Sequence, residues 1–587
     1  MGQSDRAFED VINTFDHVVV LMLENRSFDN LLGCLYPDGK NGKPFEGVLD
    51  KDGQFKKQLR NPIPPKYQTS GGATEVPVAY CTNKDRYHQP CPDPGEDYPH
   101  VNTQLFNCVN APYENSPPYN LPNPVPLPAM DGFVHDYIRN YRTEYPKAPT
   151  PSYDQYKVIM ECFDPADVPV FSTLAREFAV FDHWFCSVPS ETFCNRAFWH
   201  AGTSWGHVIN PGSADDPGDQ SNWDNTIAWL IDSAGCTIFE QLDGIGKTWT
   251  IYSDNKIPCP GGKHFTLPIT PLVHPGAWKY WGSAAASHHF KDLADFKNDC
   301  ANGSLPAYSF IEPNFLNPHN DMHPSTPGEV VDGTQPPGSV LLGEALVWDI
   351  YNAIFTSPSH WKNTLLIITF DEHGGCYDHV VPPGYYGEIP YPTSEIAKIA
   401  TAPDLSPYKK WDEFDFQRLG LRVPTIMVSP YIQRNTIINQ FMSHSSFLKT
   451  MHRKWNLSSL SVREDASPDF ARDTNVLQPT LQRTTKADMP KLPPPMLRVD
   501  NTDYSQALLE AVLTIIVKLF RLISHKLGPH DSLSTKAITT QEEAVAFILN
   551  TIRKAKTHQG QNDEIRDHDW VFLLKAVAEE IKKKEQP

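Results

Sequence analysis

The sequence predicts an α/β fold: a mostly parallel central sheet, long loop insertions around it, and a C-terminal helical appendage. Three observations carry this expectation. Two apolar runs, His17–Leu23 and Thr364–Phe370, are continuous rather than alternating, which is the pattern of strands buried on both faces. Each run stops abruptly at polar residues, and open α/β sheets keep their chemistry at strand carboxyl ends. A chain of 587 residues, 40% hydrophobic and 11% aromatic, is also long and apolar enough to bury a large core.

The first run leads into Glu24-Asn25-Arg26-Ser27-Phe28-Asp29. Acidic and amide oxygens delivered by a buried strand are candidate metal ligands, and they equally suit a capped helix start. The region from Gln54 to Pro128 carries much of the chain's proline (54 residues in all) and reads as structured loop without regular elements, of the kind that walls an active site.

Val188-Pro189-Ser190-Glu191-Thr192-Phe193-Cys194-Asn195-Arg196 places hydroxyls just ahead of an amide and a guanidinium. A hydroxyl beside a cation is a nucleophile, and an arginine fork holds oxyanions. The same residues suit a helix N-terminus, which itself favours anions. The second run ends in Asp371-Glu372-His373-Gly374-Gly375. Two adjacent carboxylates repel unless a cation lies between them, although Asp and Gly are also ordinary turn residues. Were the two strands neighbours, Glu24, Asn25, Asp371 and Glu372 would converge on one ion.

These blocks resemble the signature motifs of the phospholipase C and acid phosphatase phosphoesterase family, within the alkaline phosphatase-like superfamily. Tyr377-Asp378-His379-Val380-Val381-Pro382-Pro383 and Ile311-Glu312-Pro313-Asn314 with Asn320-Asp321-Met322-His323-Pro324 extend the likeness in order. It covers roughly residues 15 to 455. The resemblance implies a metal-dependent phosphoric ester hydrolase. Glu24, Asn25, Asp371 and Glu372 match ligands of one divalent ion: calcium, magnesium, manganese or zinc. Thr192 matches the hydroxyl nucleophile that also touches the metal and becomes phosphorylated. His323 matches a histidine that contacts the phosphoryl group or protonates the leaving oxygen, and Asn195 and Arg196 end the nucleophile motif. Cys194 stands where the family usually has proline. A family histidine usually follows Asp-Pro-Gly; here Glu96 follows Asp93-Pro94-Gly95, with His100 as the nearby substitute. His288, His289 and His379 are further candidates for substrate binding.

The expected substrate is a phosphate ester, a phospholipid among the choices, cleaved as a phosphodiester or as a monoester. A formal charge of −19 argues against nucleic acid as partner. A catalytically silent relative that recruits partners through its C-terminal helices is the alternative reading; retention of the whole ligand set argues against it.

The expected division is a phosphoesterase domain over 1–490, then a linker and helices over 491–587. Helices are expected around 506–523, 541–554 and 570–584; the first is strongly apolar, but Glu510, Lys518 and Arg521 make it too charged to span a membrane, and the three suit packing on the catalytic domain or homo-oligomer formation, with a membrane-surface helix as the alternative. Among the 11 cysteines, Cys81 and Cys91 in one loop form a candidate bridge. No secretory leader pattern opens the sequence, which points to the cytoplasm, although members of the family are often exported.

Overall fold

The structure is a computed structural model. It describes residues 11–497 apart from 108–126, 211–228, 230–235, 260–262, 267, 275–285, 316–318, 325–338, 385–413, 415 and 417. The C-terminal helices, and any assembly through them, lie outside the described residues.

Eight strands form the central sheet: β1 (His17–Leu23), β2 (Ala179–Phe181), β3 (Trp249–Ser253), β4 (Phe290–Asp292), β5 (Tyr308–Glu312), β6 (Thr364–Phe370), β7 (Thr425–Val428) and β8 (Thr436–Ile438). Their order is β4-β3-β5-β1-β6-β7-β2-β8. Pairing is parallel throughout except at β7, which runs antiparallel to both β6 and β2. The mixed α/β class is therefore as expected. The two apolar runs are the centre of the sheet: β1 lies beside β6 over its whole length, with Leu23 opposite Phe370. Val18 through Leu23 and Leu365 through Ile368 are fully buried, which explains why neither strand alternates.

Six helices frame the sheet and its carboxyl edge: α1 (Tyr98–Phe106), α2 (Phe133–Glu144), α3 (Pro169–Glu177), α4 (Thr192–Ala201), α5 (Val340–Phe355) and α6 (His444–Trp455). Apolar side chains of α3, α5 and α6 join the core of the sheet. A second apolar cluster gathers α2 with the segment from Val48 to Val78 and with Tyr377. Met489 and Leu492 pack into the main core, so the expected linker from residue 491 starts as a docked part of the domain.

Two expectations need correction. The proline-rich region is not devoid of regular structure: it holds short strands at Arg60–Pro62 and Glu75–Pro77, and helix α1. Pro99 falls in the first turn of α1, where its missing N–H costs nothing. No disulfide joins Cys81 to Cys91, so the proposed bridge is not formed.

Candidate active site and metal centre

The residues that follow β1 and β6 meet at the carboxyl edge of the sheet. Asp371 N–H donates to the Leu23 carbonyl at 3.2 Å, and Asn25 N–H donates to Asp371 Oδ1 at 3.2 Å. Asn25 adopts a left-handed backbone with φ +57°, which asparagine tolerates. Gly374 lies against it with φ +62°; a Cβ there would stand 2.0 Å from the Asn25 carbonyl oxygen. Only glycine fits that contact.

Helix α4 delivers the second half of the site. Its N-cap is Glu191 and it closes on Gly202, whose φ is +70°. Thr192 opens the helix and Arg196 follows one turn later, so the two share a face. Arg196 Nε donates to Asp371 Oδ2 and Nη2 to Glu24 Oε1, each at 3.1 Å. The helix N-terminus, with its positive dipole end, is thereby set beside the strand ends.

Electrostatics strain this corner. Burial, and then the neighbouring Asp371, push Glu24 well above the usual carboxylate range, against the pull of Arg196. Burial and Asp371 act the same way on Glu372. Burial, and then Glu372 and Asp93, raise Glu96. Carboxylates held together so closely favour a bound cation. Two buried oxygens also have no hydrogen-bond partner among the described residues: Asn25 Oδ1 and Glu372 Oε1. Both belong to the predicted ligand set, and orphaned acceptors at an acidic site fit a metal ion.

Outer contacts fix the ligands. Gly374 N–H donates to Glu372 Oε2 at 2.7 Å. His373 Nδ1 lies 3.1 Å from the same oxygen and its Nε2 meets Gln104 Oε1 at 2.8 Å. His444, the first residue of α6, accepts from Trp184 Nε1 through Nδ1 and donates Nε2–H to the Asp371 carbonyl at 2.6 Å. Burial pushes its pKa down to about 4, in keeping with a neutral ring.

The 319–324 segment lies over the end of β1. Glu24 N–H donates to the Asp321 carbonyl at 2.8 Å, and His323 N–H donates to Asp321 Oδ1 at 2.8 Å. His323 Nε2 meets Asn25 Nδ2 at 2.9 Å, and the same amide donates to Glu96 Oε2. Asp93, Glu96 and His323 keep side-chain exposures of 18%, 21% and 17%, so the site opens on this side.

The Phosphoesterase family matches residues 15–458. The chain belongs to that family. Its relatives include non-specific phospholipase C6 of Arabidopsis thaliana, 33% identical over 78% of this chain and 71% of the relative. Non-specific phospholipase C3 of the same plant is 30% identical over 83% and 77% of the two chains. Phospholipase C B of Mycobacterium tuberculosis is 25% identical over 82% and 83%. The protein is a phosphoric ester hydrolase. No described helix is long and apolar enough to cross a membrane.

In this phosphoesterase the six residues Glu24, Asn25, Thr192, Arg196, Asp371 and Glu372 come from three elements that meet at one sheet edge. Asn195 is differently employed. Its side chain accepts from Val188 N–H at 3.0 Å and donates to the Ser190 carbonyl at 2.7 Å, locking the loop ahead of Thr192. Ser190 Oγ donates to the Val208 carbonyl.

Four histidines do not take the positions expected of them. His100 directs Nδ1 to Asp136 of α2 at 2.8 Å, and Glu96 is the residue that meets Asn25. His289 stacks on Trp249 at 3.9 Å and bonds the Trp249 carbonyl, and the His288 carbonyl accepts from Thr250. Both histidines therefore sit near the amino end of β3, across the sheet from Glu24. His379 lies in a separate buried ion cluster, 2.6 Å from Asp29 and 3.0 Å from Glu46. Arg422 completes it, at 2.8 Å from Asp29 and 2.9 Å from Asp378.

Sequence reasoning missed Asp93 and Glu96 as site residues, and His373, Gln104 and His444 as supports. The departure from the family histidine at Glu96 was the one available signal. Two groups of three described side chains hold ligand atoms within 4.8 Å of one another: Asp93, Glu96 and His323, and Asp29, Asp378 and His379. Neither is the predicted quartet, in which Arg196 already engages Glu24 and Asp371. The second group is balanced by Arg422 and a protonated His379, and reads as an ion-pair network.

Proposed function

We propose that the chain hydrolyses a phospholipid phosphodiester in the manner of a phospholipase C, with one divalent ion held by Glu24, Asn25, Asp371 and Glu372. The observation that carries this reading is the pair of orphaned oxygens, Asn25 Oδ1 and Glu372 Oε1, at the mouth of a helix that begins with Thr192. The names of the relatives supply the substrate class. An ion bound there supplies positive charge to the phosphoryl oxygens and to the attacking hydroxyl.

The residues do the rest. Arg196 lies one helical turn from Thr192 and fixes the acidic strand ends with two hydrogen bonds. Thr192 Oγ1 forms a bond to phosphorus as the bond from phosphorus to the diacylglycerol oxygen breaks. The hydroxyl proton is lost and one proton is gained by the leaving oxygen, which His323 faces from the open side of the site. Water then attacks the phosphothreonine, releasing the phosphorylated headgroup and restoring the threonine hydroxyl. The positive end of the α4 dipole favours the anion throughout.

Mass spectrometry of enzyme quenched during turnover of phosphatidylcholine tests the reading. A headgroup phosphate adduct on Thr192, with release of diacylglycerol, is the expected result. Release of inorganic phosphate from simple monoesters in the absence of any diacylglycerol would overturn the substrate assignment. An adduct on Ser190 would overturn the nucleophile.

A further inference from the structure

We infer that the exposed end of helix α2, with the segment that follows it, is a docking face for a lipid surface rich in anionic headgroups. This deepens the phospholipid reading above and rests on it, since such a substrate lies in a surface.

Helix α2 changes character along its length. Phe133 through Ile138 are all buried, whereas the chain from Tyr141 to Thr150 is exposed or half-buried. The buried part braces the mouth of the site. Tyr137 Oη donates to the Pro92 carbonyl at 3.0 Å, and Asn140 Nδ2 donates to the Asp93 carbonyl at 2.7 Å. Tyr145, the C-cap, stands about 7.5 Å beyond Asn140 along the helix axis. A surface resting on this end therefore lies beside the side on which Asp93 and Glu96 reach solvent.

Tyrosine rings pave this end. The rings of Tyr141 and Tyr145 stand 5.0 Å apart, and those of Tyr153 and Tyr156 stand 5.7 Å apart. Gln155 Nε2 donates to Tyr141 Oη at 2.7 Å and joins the two pairs. Tyr156 is buried and anchors the group, while Tyr153 is 36% exposed. No large aliphatic side chain from Phe133 to Lys157 is exposed. A ring with an apolar body and a polar tip suits the headgroup level of a bilayer, where nothing needs to reach the acyl chains.

The charge of this end has the opposite sign to that of the chain. Between Arg139 and Lys157 the carboxylates are Glu144 and Asp154, and Asp154 is spent on Lys157 at 2.8 Å. Glu144 thus stands against Arg139, Arg142 and Lys147. Lys66 adds a fourth cation. Its Nζ lies 4.8 Å from the Tyr67 ring centroid, and Arg142 Nη1 donates to Tyr67 Oη at 3.2 Å, which sets that turn beside α2. The whole chain carries −19. An anionic surface repels the acidic remainder and attracts this end, so the field turns the mouth of the site towards lipid.

Co-sedimentation of the full chain with vesicles, in the cold so that lipid is not consumed, is the test. Vesicles of phosphatidylcholine mixed with phosphatidylglycerol are compared with phosphatidylcholine alone. The native chain should bind the mixed vesicles more tightly, and less so as salt rises. Arg142→Glu with Lys147→Glu should weaken that binding by at least about tenfold and leave turnover of a soluble phosphodiester unchanged. Tyr153→Ser, which keeps every charge, should weaken binding without altering its salt dependence. Lys297→Glu with Lys362→Glu makes the same change in net charge away from α2 and should bind nearly as the native chain does. Equal losses in the two double variants overturn the inference, because net charge and not this face would then govern binding. Full binding by Arg142→Glu with Lys147→Glu also overturns it and places the lipid contact elsewhere on the chain. A native chain that binds neither vesicle leaves an acidic protein as the occupant and overturns it as well. Diacylglycerol released from detergent-dispersed phosphatidylcholine by a chain that ignores vesicles keeps the substrate reading and removes the face. Vesicles bound through this face and left intact on warming keep the face and remove the substrate reading.

Discussion

Arg196 bridges Asp371 and Glu24 with hydrogen bonds of 3.1 Å each, and so ties the helix that carries Thr192 to two neighbouring strands. The guanidinium does this because its donors diverge in a fixed plane. Arg196→Lys keeps the charge and loses the fork. The expected outcome is a fall in kcat of about tenfold to a hundredfold through misplacement of Thr192, with little change in KM. Steady-state kinetics on a soluble phosphodiester decide it. Unchanged kcat would show that the bridge has no part in alignment.

Thr192→Ala removes the proposed nucleophile. Turnover should fall by more than about a hundredfold, at least about 3 kcal/mol of transition-state stabilisation, while metal content is kept. Thr192→Ser retains a hydroxyl and should keep part of the activity. Ser190→Ala is the control, since Ser190 Oγ is spent on the Val208 carbonyl, and it should cost far less. Equal losses in Thr192→Ala and Ser190→Ala would remove Thr192 from its role.

Gly374→Ala places a methyl group against the Asn25 carbonyl, in a backbone region that disfavours side chains. Asn25 must move, and with it a metal ligand. Affinity for the ion should weaken by at least about tenfold, the scale of loss seen when ligand supports are disturbed. Equilibrium dialysis measures this. Native affinity in the alanine variant would refute the argument.

The cluster around His379 predicts a pH dependence of stability. Burial by itself would lower the pKa of His379, but Asp29 and Glu46 outweigh it and push it up to about 9. The unfolded value is about 6.5, so the folded state holds the proton more tightly. The stabilisation is complete below about pH 6.5 and is lost as pH rises through about 9; it amounts to about 3 kcal/mol. Urea unfolding at about pH 6.5 and about pH 9.5 should show a larger loss for the native chain than for His379→Gln. Parallel losses in both would place the pH dependence elsewhere.

Much of the site was legible because strand ends have a simple grammar. A buried strand cannot carry Glu24 or Asp371 in its interior, so the first carboxylate after an apolar run marks the edge of the sheet. Two such edges imply a meeting point, and the observed pairing of β1 with β6 supplies it. Glu96 was harder to read. It reaches Asn25 across 71 positions of chain, from a proline-rich loop with no periodicity to place it. His373 and His444 act through Gln104 and the Asp371 carbonyl, contacts 269 and 73 positions apart that no local pattern encodes. The His288-His289 pair misled because a doubled histidine looks like chemistry, whereas here one ring packs flat on Trp249. Asn195 misled for a related reason: an amide beside a nucleophile can brace the loop instead of touching the substrate.

The rung-for-rung alignment of β1 with β6, from His17 beside Thr364 to Leu23 beside Phe370, has a consequence for how such a chain can diverge. The distance between Glu24 and the Asp371-Glu372 pair is set by counting residues along a ladder, not by the shape of any loop. Hundreds of residues separate the strands in sequence, and additions there leave the alignment untouched. One residue gained or lost inside either strand turns every later side chain to the opposite face and carries Glu24 away from Asp371. Length variation among descendants of this chain is therefore confined to the connections, while the two seven-residue strands are held to a fixed count.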